Sequence, residues 1–171
     1  MRQRRKSAPP VKPPLAKTEG RPERLYASNR HALYEYHILE TIEVGVALTG
    51  TEIKSVRAGR VNLREAYARV ERGELWLHNA HISQYDAGNR FNHEPTRSRK
   101  LLAHTREIGR LAGKQHEPGV TLIPLRMYDR SGFVKVALAV AKGKHSYDKR
   151  ETQKEREAQR EIGRAMRHNL F

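Results

Sequence analysis

The chain has 171 residues, 34 Lys+Arg against 19 Asp+Glu, a formal net charge of +15, and no cysteine. That length holds one domain with tails, and the missing thiols exclude a disulfide framework and thiolate metal sites, as suits a reducing cytosol. No apolar run is long enough to span a bilayer and the first residues lack the apolar stretch of a secretory signal, so a cytoplasmic location without a membrane partner is expected.

The charge excess sits at the ends. Residues 1–24 hold eight Lys/Arg against two Asp/Glu, and residues 142–171 hold nine against five. A basic middle with basic arms implies a polyanionic partner, nucleic acid ahead of anionic lipid. Residues 1–24 also carry five of the eight prolines. Pro9-Pro10 and Pro13-Pro14 favour an extended, disordered, solubilising arm.

From Tyr34 the pattern changes. Tyr34, Tyr36, Ile38, Ile42, Val44, Val46 and Leu48 alternate, broken at Glu40, and predict a long half-buried strand with a bend or bulge at Gly45. Thr49 and Glu52 have capping-box spacing ahead of a short helix whose apolar side is Ile53 and Val56, with Gly59 as its stop. Residues 66–71 and 75–82 read as a hairpin around Arg72-Gly73, with Trp76 in or against the barrel.

Residues 83–100 have no usable periodicity, and so long a loop is functional or disordered. Arg90, Arg97, Arg99 and Lys100 are interleaved there with Tyr85, Phe91 and His93, a combination that suits looped RNA: charge for phosphate, rings for bases. Residues 105–112 read as a short helix with Ile108 and Leu111 inward, stopped by Gly113. Residues 120–128 and 133–141 form a second hairpin across residues 129–132. Val134, Val136, Leu138 and Val140 point inward, Lys135 points outward, and Pro124 marks an edge or bulge.

The last segment carries too few apolar residues for a core. On an ideal helix Lys149, Arg156, Arg160, Arg164 and Arg167 share one sector, and Ala158, Ile162, Ala165 and Met166 lie roughly opposite. Such a segment is weakly ordered alone and helical against an RNA-rich partner. Its apolar face is too thin for a membrane surface.

No catalytic constellation stands out. His78, His81 and Asp86 can be drawn as a metal site, but residues three apart on a strand face opposite sides, so no metal and no cofactor are expected. No phosphate-cradling glycine loop or nucleophile elbow occurs.

Several blocks resemble the SsrA-binding protein (small protein B) family, the protein partners of transfer-messenger RNA. They are residues 29–32 with Tyr36, residues 48–59, Val61-Asn62-Leu63, residues 88–93, residues 99–102, and Lys142-Gly143-Lys144 with Asp148-Lys149-Arg150. The resemblance runs from Asn29 to Arg167. It implies an oligonucleotide-binding barrel that holds the tRNA-like domain of transfer-messenger RNA in place of the missing anticodon arm. It further implies a tail that enters the small-subunit decoding region and the empty mRNA channel of stalled ribosomes. The tRNA-carrying elongation factor is then a partner through the RNA, and the protein performs no chemistry.

Family RNA-contact positions map onto Glu43, Leu102 and Lys135. Glu43 otherwise reads as a solvated strand carboxylate; at a site it accepts amino or 2′-hydroxyl donors. Leu102 is core by residue type, and only the resemblance implies an RNA contact. Asn29 and Arg30 match a further contact block, and Arg90 and Asn92 join them. In the tail, Gly143 matches a turning position suited to positive φ, and Asp148, Lys149 and Arg150 match the block tied to tag translation. Tyr147 keeps a flat ring where relatives carry a histidine that stacks on a ribosomal base. Lys154, Arg156 and Arg160 complete the tail set.

The expected fold is mainly β: a small antiparallel oligonucleotide-binding-type barrel (25–141), with two or three short helices and disordered basic tails (1–24 and 142–171). The expected function is nonenzymatic RNA binding in trans-translation. A metal-independent ribonuclease and a generic basic RNA chaperone are the alternatives.

Overall fold

The structure, a computed structural model, describes residues 24–144. Nine strands, three α-helices and a 3-10 turn follow one another. They are β1 (Leu25–Ser28), α1 (Arg30–Glu35), β2 (Tyr36–Val46), α2 (Gly50–Arg57), β3 (Val61–Asn62), β4 (Tyr67–Glu71), β5 (Glu74–His78), β6 (His81–Ile82), the 3-10 turn (Asp86–Phe91), β7 (Arg99–Leu102), α3 (Thr105–Gln115), β8 (Val120–Arg130) and β9 (Phe133–Gly143).

Six strands close a ring in the order β8-β4-β5-β7-β2-β9, and β9 returns to β8. Every registered pairing is antiparallel, and β1 adds to the outside of β8. Closure removes free edges from the ring and leaves an inner face for a core. Val44, Leu75, Leu77, Leu101, Leu122, Met127, Val136, Leu138 and Val140 fill it, each fully buried. The β4–β8 seam is thin, with one registered pair, Ala68↔Leu122. Helix α3 covers it: Leu111 joins the core, and the Gln115 side chain accepts from the Val70 N–H at 2.7 Å.

The hairpins follow the sequence, except that the expected strand 75–82 stops at His78 and His81-Ile82 pair separately with β3. Arg72-Gly73 and Ser131-Gly132 turn their chains with both residues at positive φ (50° and 77°; 54° and 85°), the primed geometry that matches strand twist. The second turn is therefore two residues, shorter than the four expected. A bulge falls between Pro124 and Arg126, as the proline requires. Strand β9 is buried on both faces. Ala141 packs with Ala32 of α1 and Ile123 in a second small cluster.

Three expectations change. The long strand starts at Tyr36, because residues 30–35 are a helix capped by Asn29. Its bulge lies between Ile38 and Glu40, not at Gly45. Gly45 instead allows close approach: a Cβ there would stand 3.2 Å from Leu102 Cβ. Helix α3 passes through Gly113 to Gln115. Trp76 takes the second of its two expected places, against the barrel: it is half-buried on the outer side, across from Arg69 and Lys100.

Candidate nucleic-acid interface

Strand β2 carries Glu43 on the outside of the barrel, because Ile42 and Val44 point inward. One Glu43 carboxylate oxygen accepts from Tyr128 Oη at 2.5 Å and from an Arg130 guanidinium nitrogen at 2.6 Å. The other lies 3.9 Å from Lys135 Nζ. Burial alone would raise the carboxyl pKa. Hydrogen bonds from Tyr128 and Arg130, with the Arg130 and Lys135 charges, outweigh it and hold the group below the ordinary carboxylate range. The register explains the cluster: Lys135 pairs with both Gly45 and Tyr128, so three adjacent strands present these groups side by side. Leu102, the residue type that argues for core, is 53 % exposed here. Glu43, Leu102 and Lys135 line one open hollow of about 480 Å³ with Gly45, Ala103 and His104.

Tyr128 and Arg130 were not among the expected residues, although the alternation of the second hairpin carries their signal. Tyr128 is buried, and the guanidinium of Arg126 lies 5.1 Å from its ring centroid. Glu43 is thus held in one orientation, ionised, with acceptor capacity toward solvent.

A second group lies at the other end of β2. Arg30 is exposed at the start of α1, beside an open hollow with His31, Tyr34, Asn62 and Arg64. Asn29 is buried, and its side chain is committed to the fold. Its amide donates to Leu63 O at 2.9 Å and Pro124 O at 3.3 Å, and its oxygen accepts from the Ala32 N–H at 3.1 Å. Strand β9 ends here too, with Gly143 paired to Tyr36 and the Lys144 N–H donating to Glu35 O at 2.8 Å. Gly143 continues the strand and is not among the positive-φ glycines, so the expected use of its conformational freedom is not seen. Seven residues of extended chain separate Tyr36 from Glu43, about 23 Å. The tail root and the Glu43 group therefore lie far apart on one strand. Tyr147, Asp148, Lys149, Arg150, Lys154, Arg156 and Arg160 lie outside the described residues.

The expected RNA-reading loop is organised differently. Arg99 is fully buried and donates to Glu52 of α2 at 2.8 Å, to Ala80 O at 2.5 Å and to Pro95 O at 2.9 Å. Arg97 pairs with the same carboxylate. His93 is buried, with one ring nitrogen 2.9 Å from Ile82 O and the other 3.1 Å from Thr51 Oγ1. These three groups hold the loop onto α2 and do not face an RNA. The reason is Glu52, whose carboxylate also accepts from the Thr49 N–H at 2.8 Å in the capping position. Asn92 is a clamp as well, exchanging two 2.9 Å hydrogen bonds with the Tyr85 backbone. A Cβ on Gly88 would meet the Asn92 side chain at 2.5 Å, so a larger residue there would displace this clamp. Arg90 lies in the 3-10 turn, and its side chain is outside the description. Lys54 sits 5.0 Å from the Tyr85 ring centroid. Among the described residues no group of three metal-ligating side chains occurs, and no helix is long and apolar enough to cross a membrane.

A closed barrel of six antiparallel strands in a chain of net charge +15, with Glu43 and Lys135 on its outer face, is an architecture of small nucleic-acid-binding domains. Comparison with known proteins makes the assignment specific. The family described as "SmpB protein" matches residues 26–168, and the chain belongs to that family of RNA-binding proteins. An SsrA-binding protein of Carboxydothermus hydrogenoformans is 59% identical over 145 residues, covering 85% of this chain and 97% of its own length. An SsrA-binding protein of Geobacillus sp. (strain WCH70) is 57% identical over 153 residues, covering 90% and 97%. A solved chain described as "tmRNA-SmpB: a journey to the center of the bacterial ribosome" is 48% identical, with a TM-score of 0.61 over 70% of this chain and 85% of that one.

Proposed function

We propose that the protein binds the tRNA-like domain of transfer-messenger RNA and brings it to stalled ribosomes for trans-translation. The observation that carries this reading is the match along residues 26–168, joined to a solved relative whose description names tmRNA-SmpB and the bacterial ribosome. The barrel stands where an anticodon arm would be, and the tail, 142–171, probes the decoding region and the vacant mRNA channel. The tRNA-carrying elongation factor joins through the RNA. The protein is a cytoplasmic adaptor and performs no chemistry; residues 1–24 are a basic, proline-rich stretch of sequence.

The Glu43 group is the contact surface for the tRNA-like domain. Glu43 accepts base-amino or 2′-hydroxyl donors, Lys135 engages phosphate, and Leu102 packs on a sugar or base. Arg30 engages phosphate at the other end of the strand, with Asn29 setting its position. Arg90 and Asn92 flank the same RNA, Asn92 through the turn it clamps. Gly143 begins the departure of the tail, in which Tyr147, Asp148, Lys149, Arg150, Lys154, Arg156 and Arg160 meet the ribosome.

Competition binding with the full chain tests this reading. The labelled tRNA-like domain is displaced by its unlabelled copy and resists displacement by an unrelated hairpin RNA of equal length, with the RNA recovered intact. Equal displacement by both would mark a generic RNA chaperone, and cleaved RNA a nuclease.

A further inference from the structure

Beside the Glu43 hollow lies a second one that the contact positions above do not account for. It opens between α2 and the β8–β9 hairpin and measures about 390 Å³, within the range of small-ligand pockets, roughly 300–1,000 Å³. Its walls are apolar: Val46, Leu48, Ile53, Leu102, Phe133 and Val134. The two hollows share Gly45, Leu102 and Lys135 and therefore adjoin.

Three features point to the occupant. Phe133 is 70 % exposed, the most exposed large apolar side chain among the described residues, at the mouth of an apolar recess. An aromatic ring left in water beside such a recess is a stacking platform without its partner. The rim carries positive charge: exposed Arg57, whose guanidinium donates to Gly132 O at 3.4 Å, stands across from Lys135. The floor is kept open by Gly45, since a Cβ there would press on Leu102. A flat apolar slot with a cation on each side matches one unstacked nucleobase whose neighbouring phosphates reach the rim. A peptide without acidic residues would bring no counter-charge to Arg57 or to Lys135, whose pairing with Glu43 is loose at 3.9 Å.

We propose that this hollow holds a single unpaired base of the bound RNA, stacked on Phe133 with Leu102 behind it, while Arg57 and Lys135 engage the flanking phosphates. The inference rests on the RNA-binding reading above and adds Phe133 and Arg57 to it. It makes the Glu43 hollow and the base slot two adjoining parts of one track.

The test uses the full chain and the tRNA-like domain of transfer-messenger RNA, with 2-aminopurine placed in turn at each unpaired position. At one position, binding changes the fluorescence. Phe133→Ala abolishes that change and weakens binding about tenfold, the scale of one base–aromatic stack, and Phe133→Trp restores both. An abasic site at that position removes the difference between wild type and Phe133→Ala. Arg57→Ala lowers the slope of log affinity against log salt by about one. Wild-type affinity for Phe133→Ala, or an abasic effect that adds to it, overturns the slot and leaves RNA binding standing. No binding by the wild type overturns both. Photocrosslinking from Phe133→p-benzoylphenylalanine in the complex names the occupant: the RNA supports the slot, whereas this chain's own residues 145–171 or a second copy refute it.

Discussion

Glu52 and Arg99 form a salt bridge of 2.8 Å with both side chains completely shut off from solvent. They join α2 to β7 across the core and hold residues 83–98 in place. Burial of the Glu52 carboxyl would raise its pKa. Donation from Arg97 and the Thr49 N–H, together with Arg99, instead brings it from 4.5 down to about 2. A carboxylate depressed by folding contributes stability that is fully present above about pH 4.5 and is lost as pH falls toward 2. The difference corresponds to about 3 kcal/mol. Glu52→Gln leaves Arg99 buried without its counter-charge and costs about 3–5 kcal/mol at neutral pH. Thermal unfolding followed by circular dichroism down that pH range checks both. The wild-type Tm drops below pH 4.5, whereas the variant starts low and changes less across the window. An unshifted midpoint for the variant at neutral pH would show that the pair adds no net stability.

Asn29 and Arg30 are neighbours with different work. Asn29 supplies two donors to buried carbonyls and one acceptor to the α1 terminus. Asn29→Ala removes a helix cap, about 1 kcal/mol, and strands buried acceptors at about 1–3 kcal/mol more. Arg30→Ala, at an exposed position, leaves the Tm in place and lowers the salt slope of RNA binding by about one. Paired measurements of melting and salt dependence separate the two. A stable Asn29→Ala protein with a reduced salt slope would make Asn29 a contact rather than a support.

The legible parts of this fold are those written in local patterns. The alternation from Val134 to Val140 located β9 and put Lys135 outside, and the Thr49–Glu52 spacing located α2. Helix α1 was hidden because six residues complete fewer than two turns, too short for a helical period to stand out, while Tyr34 and Tyr36 continue the strand alternation. Asn29 three residues before a capped N–H was the available signal. Arg99 and Leu102 could not be read locally. A charge looked solvated and an alkyl group looked buried, yet Glu52, 47 positions away in sequence, draws Arg99 inward. Barrel closure leaves Leu102 outside against Gly45. Long-range partners set both, and no periodicity carries them.

Glu43 and Lys135 sit about one-third exposed on the outer face, 3.9 Å apart. A pair that loose and that wet contributes about 0–1 kcal/mol to folding. Glu43→Ala combined with Lys135→Ala also removes the bonds from Tyr128 and Arg130, so the Tm falls by the cost of one or two hydrogen bonds, about 1–3 kcal/mol, while a single cooperative unfolding transition remains. Its affinity for the tRNA-like domain falls tenfold or more, about 1.4 kcal/mol or above. Lys135→Ala alone lowers the salt slope and Glu43→Ala alone does not, because a carboxylate displaces no counterions from phosphate. Loss of cooperative melting in the double variant would make the two residues structural.

The end of β9 decides where the barrel can be cut. Lys142 pairs with His37 and with Val120, Gly143 pairs with Tyr36, and the Lys144 N–H donates to Glu35 O. A boundary at residue 141, as the sequence alone implied, removes the last rung of the ring and the tie to α1. A chain ended after Lys144 retains every one of these bonds. Its melting matches the full protein, and its affinity for the tRNA-like domain is nearly unchanged. Peptide tagging on ribosomes stalled at a message without a stop codon is abolished if, as proposed, residues 145–171 carry the ribosome-facing function. A chain ended after Ala141 melts earlier, since three registered pairs and a backbone bond are gone. Equal loss of RNA binding and tagging in the Lys144 variant would show that the tail also grips the RNA, and the division of labour between barrel and tail would fall.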